Sequence, residues 1–221
     1  MANDKETITN QRREFLLEVV NVDQLKGLEI GPLNEPLVTN EDLQGQGEIF
    51  YLDHLSTDDL QEKYSADPSV DVENIVDVDF VCPDGNLVEA VVGNQFDYVV
   101  ASHVIEHAPN LLRFLCDINN ILKPGGSCIL IIPDKRFTFD VNRPNTTFGE
   151  VLEKFLLEAK RPHPSEVYDH FAMATHANGH NLWHGIFNSA DAHLLNTEKF
   201  AFDAARRVHD HQKYYDVHVN I

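Results

Sequence analysis

The sequence predicts an α/β fold with a doubly wound, mostly parallel sheet, and three observations carry that expectation. Short apolar runs bounded by acids and glycines recur along the first 136 residues, as strands alternating with helices or loops do in such sheets. Two of these runs, Tyr98-Val99-Val100 and Ile129-Leu130-Ile131-Ile132, are apolar without interruption, as strands buried on both faces must be. Between them Leu111, Leu112, Leu115, Ile118, Ile121 and Leu122 recur at helical spacing. Together these make one βαβ unit, whose crossover is right-handed by the twist of its strands.

Taken in order, residues 9–20 read as a helix carrying Phe15, Leu16, Val19 and Val20. Residues 25–30 form a first strand closed by Gly31 and Pro32, and residues 48–53 form a second ending in Asp53. Residues 74–79 read as a third strand, ending in Asp79; the two runs above are the fourth and fifth. Lys123, Pro124, Gly125 and Gly126 stop the intervening helix and turn the chain. Beyond Asp140, residues 147–159 and 197–208 read as helices, residues 161–164 as a proline-punctuated break and residues 214–221 as a final strand. In open sheets ligands sit outside the carboxyl ends of the strands. Residues 102–107 and 133–136 are therefore expected to face a pocket.

Composition narrows the function classes. A hydrophobic fraction of 43% and a charged fraction of 24% are ordinary for a globular protein, and no segment approaches the ~18 consecutive apolar residues of a membrane helix. The polar N-terminus lacks the apolar core of a signal peptide. Cys82, Cys116 and Cys128 follow no metal-like spacing, and their odd number argues against a disulfide framework. A reducing cytoplasm is the expected location. The formal net charge of −19 argues against nucleic acid as a partner, because phosphate backbones are held by excess Lys and Arg.

The first strand runs Leu28-Glu29-Ile30-Gly31-Pro32-Leu33-Asn34, and Asp53 follows 22 positions after Gly31. That spacing suits a carboxylate accepting from the two hydroxyls of a ribose. A dinucleotide would also need a GxGxxG turn to admit its pyrophosphate, yet Leu33 and Pro36 occupy the second and third glycine positions. Glu29 would repel a phosphate and attract an ammonium or a sulfonium. A phosphate-free adenosyl sulfonium, S-adenosylmethionine, meets both conditions.

On these motifs, over residues 28–136, the chain resembles the class I, seven-stranded, Rossmann-like S-adenosylmethionine-dependent methyltransferases of the small-molecule type. The resemblance implies that Glu29 and Gly31 lie by the methionine part of the cofactor, that Asp53 holds the ribose and that His54 touches adenine. It implies that Asp79 and Phe80, after the third strand, supply a carboxylate and an amide to the adenine. Ser102 and His103 would line the passage between cofactor and acceptor. It divides the chain into an N-terminal helix (1–24), a cofactor-binding core (25–136), a helical acceptor-side cover (137–211) and a final strand (212–221) within one domain. The family's terminal hairpin is expected to be incomplete here, and a partly open sheet edge is compatible with a homo-oligomer. His103, whose ordinary pKa lies near neutrality, is the candidate base for a hydroxyl or amine acceptor.

Several residues admit other readings. His103-Val104-Ile105-Glu106-His107 matches the HxxEH zinc motif formally, but begins at a strand terminus and runs into Pro109. Glu106 and His107 are read instead as starting the next helix, so no metal is assigned. His176, His180 and His184 would form a metal-holding column if helical, and His163, His170, His193, His209, His211 and His218 add candidates. A metal-dependent hydrolase built on this histidine-rich third is one alternative, and a non-catalytic methyltransferase-like binding module is another. Lys135 and Arg136 either dock a substrate anion or, for Arg136, pair with Asp134. Phe139, Phe148, Phe171, Trp183 and Phe187 either line an acceptor pocket or pack helices on the sheet.

Overall fold

The computed structural model of the chain describes residues 2–43, 45–176, 193–213 and 215–220. Two compact units emerge, one of Met1–Val104 with Phe114–Ile131, the other of Ile105–Arg113 with Ile132–Ile221.

In the first unit the elements run α1 (Ala2–Val19), β1 (Lys26–Ile30), β2 (Glu48–Asp53), α2 (Thr57–Tyr64), β3 (Phe80–Val81), α3 (Leu87–Ala90), β4 (Phe96–Ser102), α4 (Leu111–Ile121) and β5 (Leu122–Ile131). The five strands pair in the order β3-β2-β1-β4-β5, every pair parallel. This is the mostly parallel, Rossmann-like sheet that the sequence predicts, and the strand order reverses between β1 and β4.

Apolar alternation is absent from the central strands because both sheet faces are covered. Leu28, Tyr98, Val99 and Val100 are fully buried. On one side Leu16 and Val20 of the N-terminal segment, one helical turn apart, pack with Val22, Leu37, Val38, Leu43, Tyr98, Val100 and Ile129. Gly27 is needed there because a Cβ would lie 2.1 Å from Cζ of the Tyr98 ring. Elsewhere in the unit Phe50, Phe80 and Phe96 meet with centroids 5.7 to 6.4 Å apart, and the Lys26 ammonium sits 4.9 Å from the Phe50 ring.

The strands at 48–53 and in the βαβ unit lie where the sequence puts them, and three other elements differ. The third strand is Phe80–Val81 rather than residues 74–79, where a short 3-10 turn, Val72–Asn74, precedes irregular chain. Residues 123–126 do not separate helix from strand; they form an excursion within β5, whose pairing jumps from Leu122 opposite Phe96 to Ser127 opposite Tyr98. Pro124 has no N–H for a ladder, and Gly125 takes φ +85°, so this stretch bulges out of register. The third difference is at the C-terminal end, in the second unit.

That unit contains α5 (Phe148–Leu156), α6 (Pro164–Met173), the short antiparallel pair β6 (Thr175–His176) and β7 (His193–Leu194), and α7 (Glu198–His209). Thr147 caps α5 by accepting from the Glu150 N–H, while Glu150 accepts from the Thr147 N–H at 2.7 Å. The expected break at 161–164 lies between α5 and α6, and its last residue enters α6: the His163 N–H donates to Glu166 Oε2 at 2.7 Å and Pro164 occupies the first helical position. Val167, Ala204, Val208, Val217 and Val219 form the unit's core.

Residues 215–220 do not form the expected final strand. Their hydrogen bonds go to the turn at 105–108 instead. The N–H groups of Val219 and Asn220 donate to the Glu106 carbonyl at 2.7 and 3.2 Å, and Asn220 Nδ2 donates to the carbonyls of Ile105 and Ala108, each at 2.8 Å. Among the described residues no helix is long and apolar enough to cross a membrane.

Candidate functional site

Register brings the sequence-predicted positions together. Ile30 pairs with Leu52 on one side and with Ala101 on the other. The next residue of each strand is therefore Gly31, Asp53 or Ser102, and all three stand level at the carboxyl edge on either side of the switch point.

Gly31 adopts φ +67°, donates its N–H to the Leu52 carbonyl at 2.8 Å, and would place a Cβ 2.9 Å from Val104 Cγ2. Only glycine allows both the left-handed backbone and that close approach. Leu33, at the second position of a glycine-rich turn, also lies in the left-handed region at φ +52°. The turn keeps its shape without the second glycine and stores backbone strain at the sheet edge, where functional sites collect it.

Asp53 is 6% exposed. Its Oδ1 accepts from the His54 N–H at 2.7 Å and meets His54 Nδ1 at 2.5 Å, while Lys63 Nζ lies 2.9 Å from His54 Nε2. An ammonium can only donate, so His54 Nε2 accepts and the ring proton sits on Nδ1, directed to Asp53. Both bonds fall on Oδ1, which leaves Oδ2 for a ligand hydroxyl. His54 is thereby committed through both nitrogens and orients Asp53; it offers a ligand only its ring face.

Two of the expected site carboxylates bond to backbone. Glu29 is 1% exposed and faces the loop after β1, where it accepts from the N–H of Leu37 at 2.9 and 3.0 Å and of Val38 at 3.1 Å. Burial pushes its pKa up to about 7 in spite of those hydrogen bonds. Glu29 thus anchors the 37–38 loop. Asp79 precedes β3: its Oδ2 accepts from the Tyr51 N–H at 2.8 Å, and the Phe80 ring packs on Phe50 and Phe96. Since Asp53 pairs with Val81, the residues beyond the carboxyl end of β3 are Cys82, Pro83 and Asp84. The Cys82 N–H donates to the Asp53 carbonyl at 2.7 Å. The Pro83-Asp84-Gly85 turn signal marks this strand end in the sequence, and the acidic run at 77–79 drew the boundary too early.

Past β4, His103 is exposed, takes φ +56° and donates its N–H to the Ile131 carbonyl at 2.9 Å. Its imidazole is carried at the edge where Ser102 ends the strand.

A methyltransferase-domain family model matches residues 14–216. The chain belongs to that family. Solved structures similar to this methyltransferase include an S-adenosylmethionine-dependent methyltransferase from Clostridium acetobutylicum, at 16% identity and TM-score 0.42, over 62% of this chain and 55% of that one. A ribosomal protein L11 methylase from Lactobacillus delbrueckii matches at 21% identity and TM-score 0.36, over 55% of this chain and 58% of that one. A sarcosine dimethylglycine methyltransferase from Galdieria sulphuraria, so described provisionally, matches at 14% identity and TM-score 0.45, over 96% and 82%. The matched region spans little more than half the length of the first two. A search of curated protein sequences finds no match.

The family's cofactor is S-adenosylmethionine, and the sheet edge of this methyltransferase fits it in part. Gly31, Asp53 Oδ2 and the Ser102 strand end suit a phosphate-free nucleoside. The carboxylates of Glu29 and Asp79 accept from the backbone N–H groups of Leu37, Val38 and Tyr51.

In the second unit the structure corrects two further readings. Glu106 and His107 do not begin a helix; they lie in a 3-10 turn, Ile105–His107, and α4 is capped by Asn110, whose Oδ1 accepts from the Arg113 N–H at 3.1 Å. Glu106 is buried, and His107 and His218 lie beside it. Arg136 is exposed and pairs with Asp134 at 2.5 Å, which draws the Asp134 pKa below the carboxylate range. Lys135 donates to the Arg143 carbonyl. His176 sits on a strand and stacks on His193 at 5.0 Å, so it begins no helical column; His180, His184, Trp183 and Phe187 lie outside the described residues. Phe148 is exposed, while Phe171 packs edge-on against Phe200 and Tyr215.

Proposed function

We propose that this chain transfers the methyl group of S-adenosylmethionine to an oxygen or nitrogen of a small or medium-sized acceptor. The observation that carries the reading is the common level of Gly31, Asp53 and Ser102 at the carboxyl edge, flanking the switch point of a parallel sheet. Gly31 admits the ligand close to the backbone. Asp53, oriented by His54 and Lys63, accepts from ribose hydroxyls through Oδ2. When bound, the cofactor supplies a methyl group already activated by its sulfonium. The protein's task is then to align and to exclude water. His103 accepts the proton that the acceptor hydroxyl or amine releases as its new bond to carbon forms. With a formal net charge of −19, the chain repels polyanions, and the acceptor is a small molecule rather than nucleic acid.

Thermal unfolding with competing nucleotides tests this reading. S-adenosylmethionine and S-adenosylhomocysteine should each raise the unfolding temperature, whereas NAD should not, because Leu33 and Pro36 leave no room for a pyrophosphate. Stabilisation by NAD alone would overturn the assignment.

A further inference from the structure

We propose that Glu106, His107 and His218 form a binding site for one divalent transition-metal ion. Their donor atoms lie within 4.8 Å of one another. One carboxylate with two imidazoles is the donor set that zinc, iron and manganese take in three-ligand sites, and a poor one for magnesium or calcium, which prefer oxygen alone.

The histidines are held as metal ligands are held. His107 Nδ1 lies 2.9 Å from Asp216 Oδ1, and His218 Nδ1 lies 2.5 Å from Asp140 Oδ2. The Asp140 carboxylate on His218 Nδ1 fixes that ring's tautomer and leaves its Nε2 to donate to a metal, and Asp216 places a negative charge beside His107. Asp140 is in turn held by Arg143 Nη1 at 2.8 Å, both side chains being almost fully buried. The two imidazoles stand at 88° with centroids 4.7 Å apart. An ion at ~2.0–2.1 Å from each donor needs them about 3.3 Å apart, so the cluster closes by small side-chain rotations.

The backbone brings these residues together by a contact that the sequence does not announce. Val219 and Asn220 donate to the Glu106 carbonyl, and Asn220 clamps the carbonyls on either side of it. These bonds set His218 beside Glu106 and His107 across more than a hundred residues of chain. Asp216 adds a carboxylate beside the cluster, while the charge of Asp140 is shared with Arg143. Glu106 and His218 also line a cavity of about 240 Å³ with Pro133, Lys135, Asp140 and Asn220. Three protein ligands with a position open to a cavity is the arrangement of a catalytic metal site rather than a closed structural one. An oxygen of a small molecule in the cavity would complete the coordination.

The site is tested without the methyl-transfer reading, by competition between the full chain and a chromophoric chelator for Zn2+. One ion should bind per chain and Mg2+ should not displace it. Glu106→Gln and His218→Asn should each weaken binding at least tenfold, and Asp216→Asn, which touches no ion, by 10- to 100-fold. Co2+ should give a visible spectrum in the wild type that Glu106→Gln abolishes. Circular dichroism checks that each variant folds; should His218→Asn fail, the isosteric Glu106→Gln and the peripheral Asp216→Asn decide. Zinc affinity unchanged in both, or lost instead on replacing His176 of the stacked His176–His193 pair, would overturn the proposal.

Discussion

Replacing Glu29 with glutamine should reveal a pH-dependent stability term built into the first turn. Glu29 is 1% exposed, and burial lifts its pKa from the ordinary 4.5 to about 7, although Leu37 and Val38 donate to the charged form. A raised folded-state pKa means that folding takes up a proton between these values. The stabilising contribution is complete below pH 4.5, where the carboxyl is neutral in both states, and is lost as pH rises through 7. At about 1.4 kcal/mol per pKa unit, the full loss is about 3.5 kcal/mol, of which roughly 2.5 falls between pH 5 and pH 8. Glutamine keeps the shape and one acceptor oxygen but cannot ionise. Its loss of a hydrogen bond, about 1 kcal/mol, is constant with pH. The measurable quantity is the difference between variant and wild type in urea-unfolding free energy at pH 5 and pH 8. Carboxylates drawn downward, such as Asp42 beside Arg13 or Asp97 beside Lys123, act in the opposite direction but cancel in that difference. The variant should gain about 2–3 kcal/mol relative to the wild type over this window. A difference that does not change with pH would show that Glu29 is solvated, and would refute its placement against the 37–38 loop.

Three other outcomes follow from the packing and the edge geometry. The Tyr98 hydroxyl is buried without a hydrogen-bond partner among the described residues, so Tyr98→Phe should stabilise the chain by about 1 kcal/mol in urea unfolding. Gly27→Ala, whose Cβ would meet the same ring at 2.1 Å, should destabilise by about 1–3 kcal/mol, with partial recovery on combining it with Tyr98→Leu. His103→Ala should lower turnover of any methyl acceptor at least 100-fold while leaving S-adenosylhomocysteine affinity within about twofold; equal losses in both would remove the base assignment.

The parallel sheet was legible because Val99, Val100 and Ile129 to Ile131 show no polar alternation, and the strand-end position of Asp53 because an acid ends an apolar run at a set distance from Gly31. The third strand was misplaced for a physical reason. With only Phe80 and Val81 in the ladder, pairing is decided by Leu52 and Asp53 on the neighbouring strand, not by local apolar content. The bonds of Glu29 to the 37–38 loop were not legible, because its number fixes its strand position but not which backbone N–H groups it faces; that loop returns to it only in the folded chain. Glu106 and His107 looked like helix-start residues for the same reason. Their environment is made by His218 and Asn220, more than a hundred positions away, and no local pattern encodes that contact. Pro164 was legible as punctuation, and it opens α6 after the break that follows α5.

Titration calorimetry of S-adenosylhomocysteine against the wild type and Asp53→Ala addresses the central assignment most directly. The wild type should bind one equivalent at micromolar affinity, and the variant should lose about 1.5–3 kcal/mol, the value of hydrogen bonds to a charged acceptor. No heat of binding in the wild type, or the same affinity after Asp53 is removed, would contradict an adenosyl site at this sheet edge.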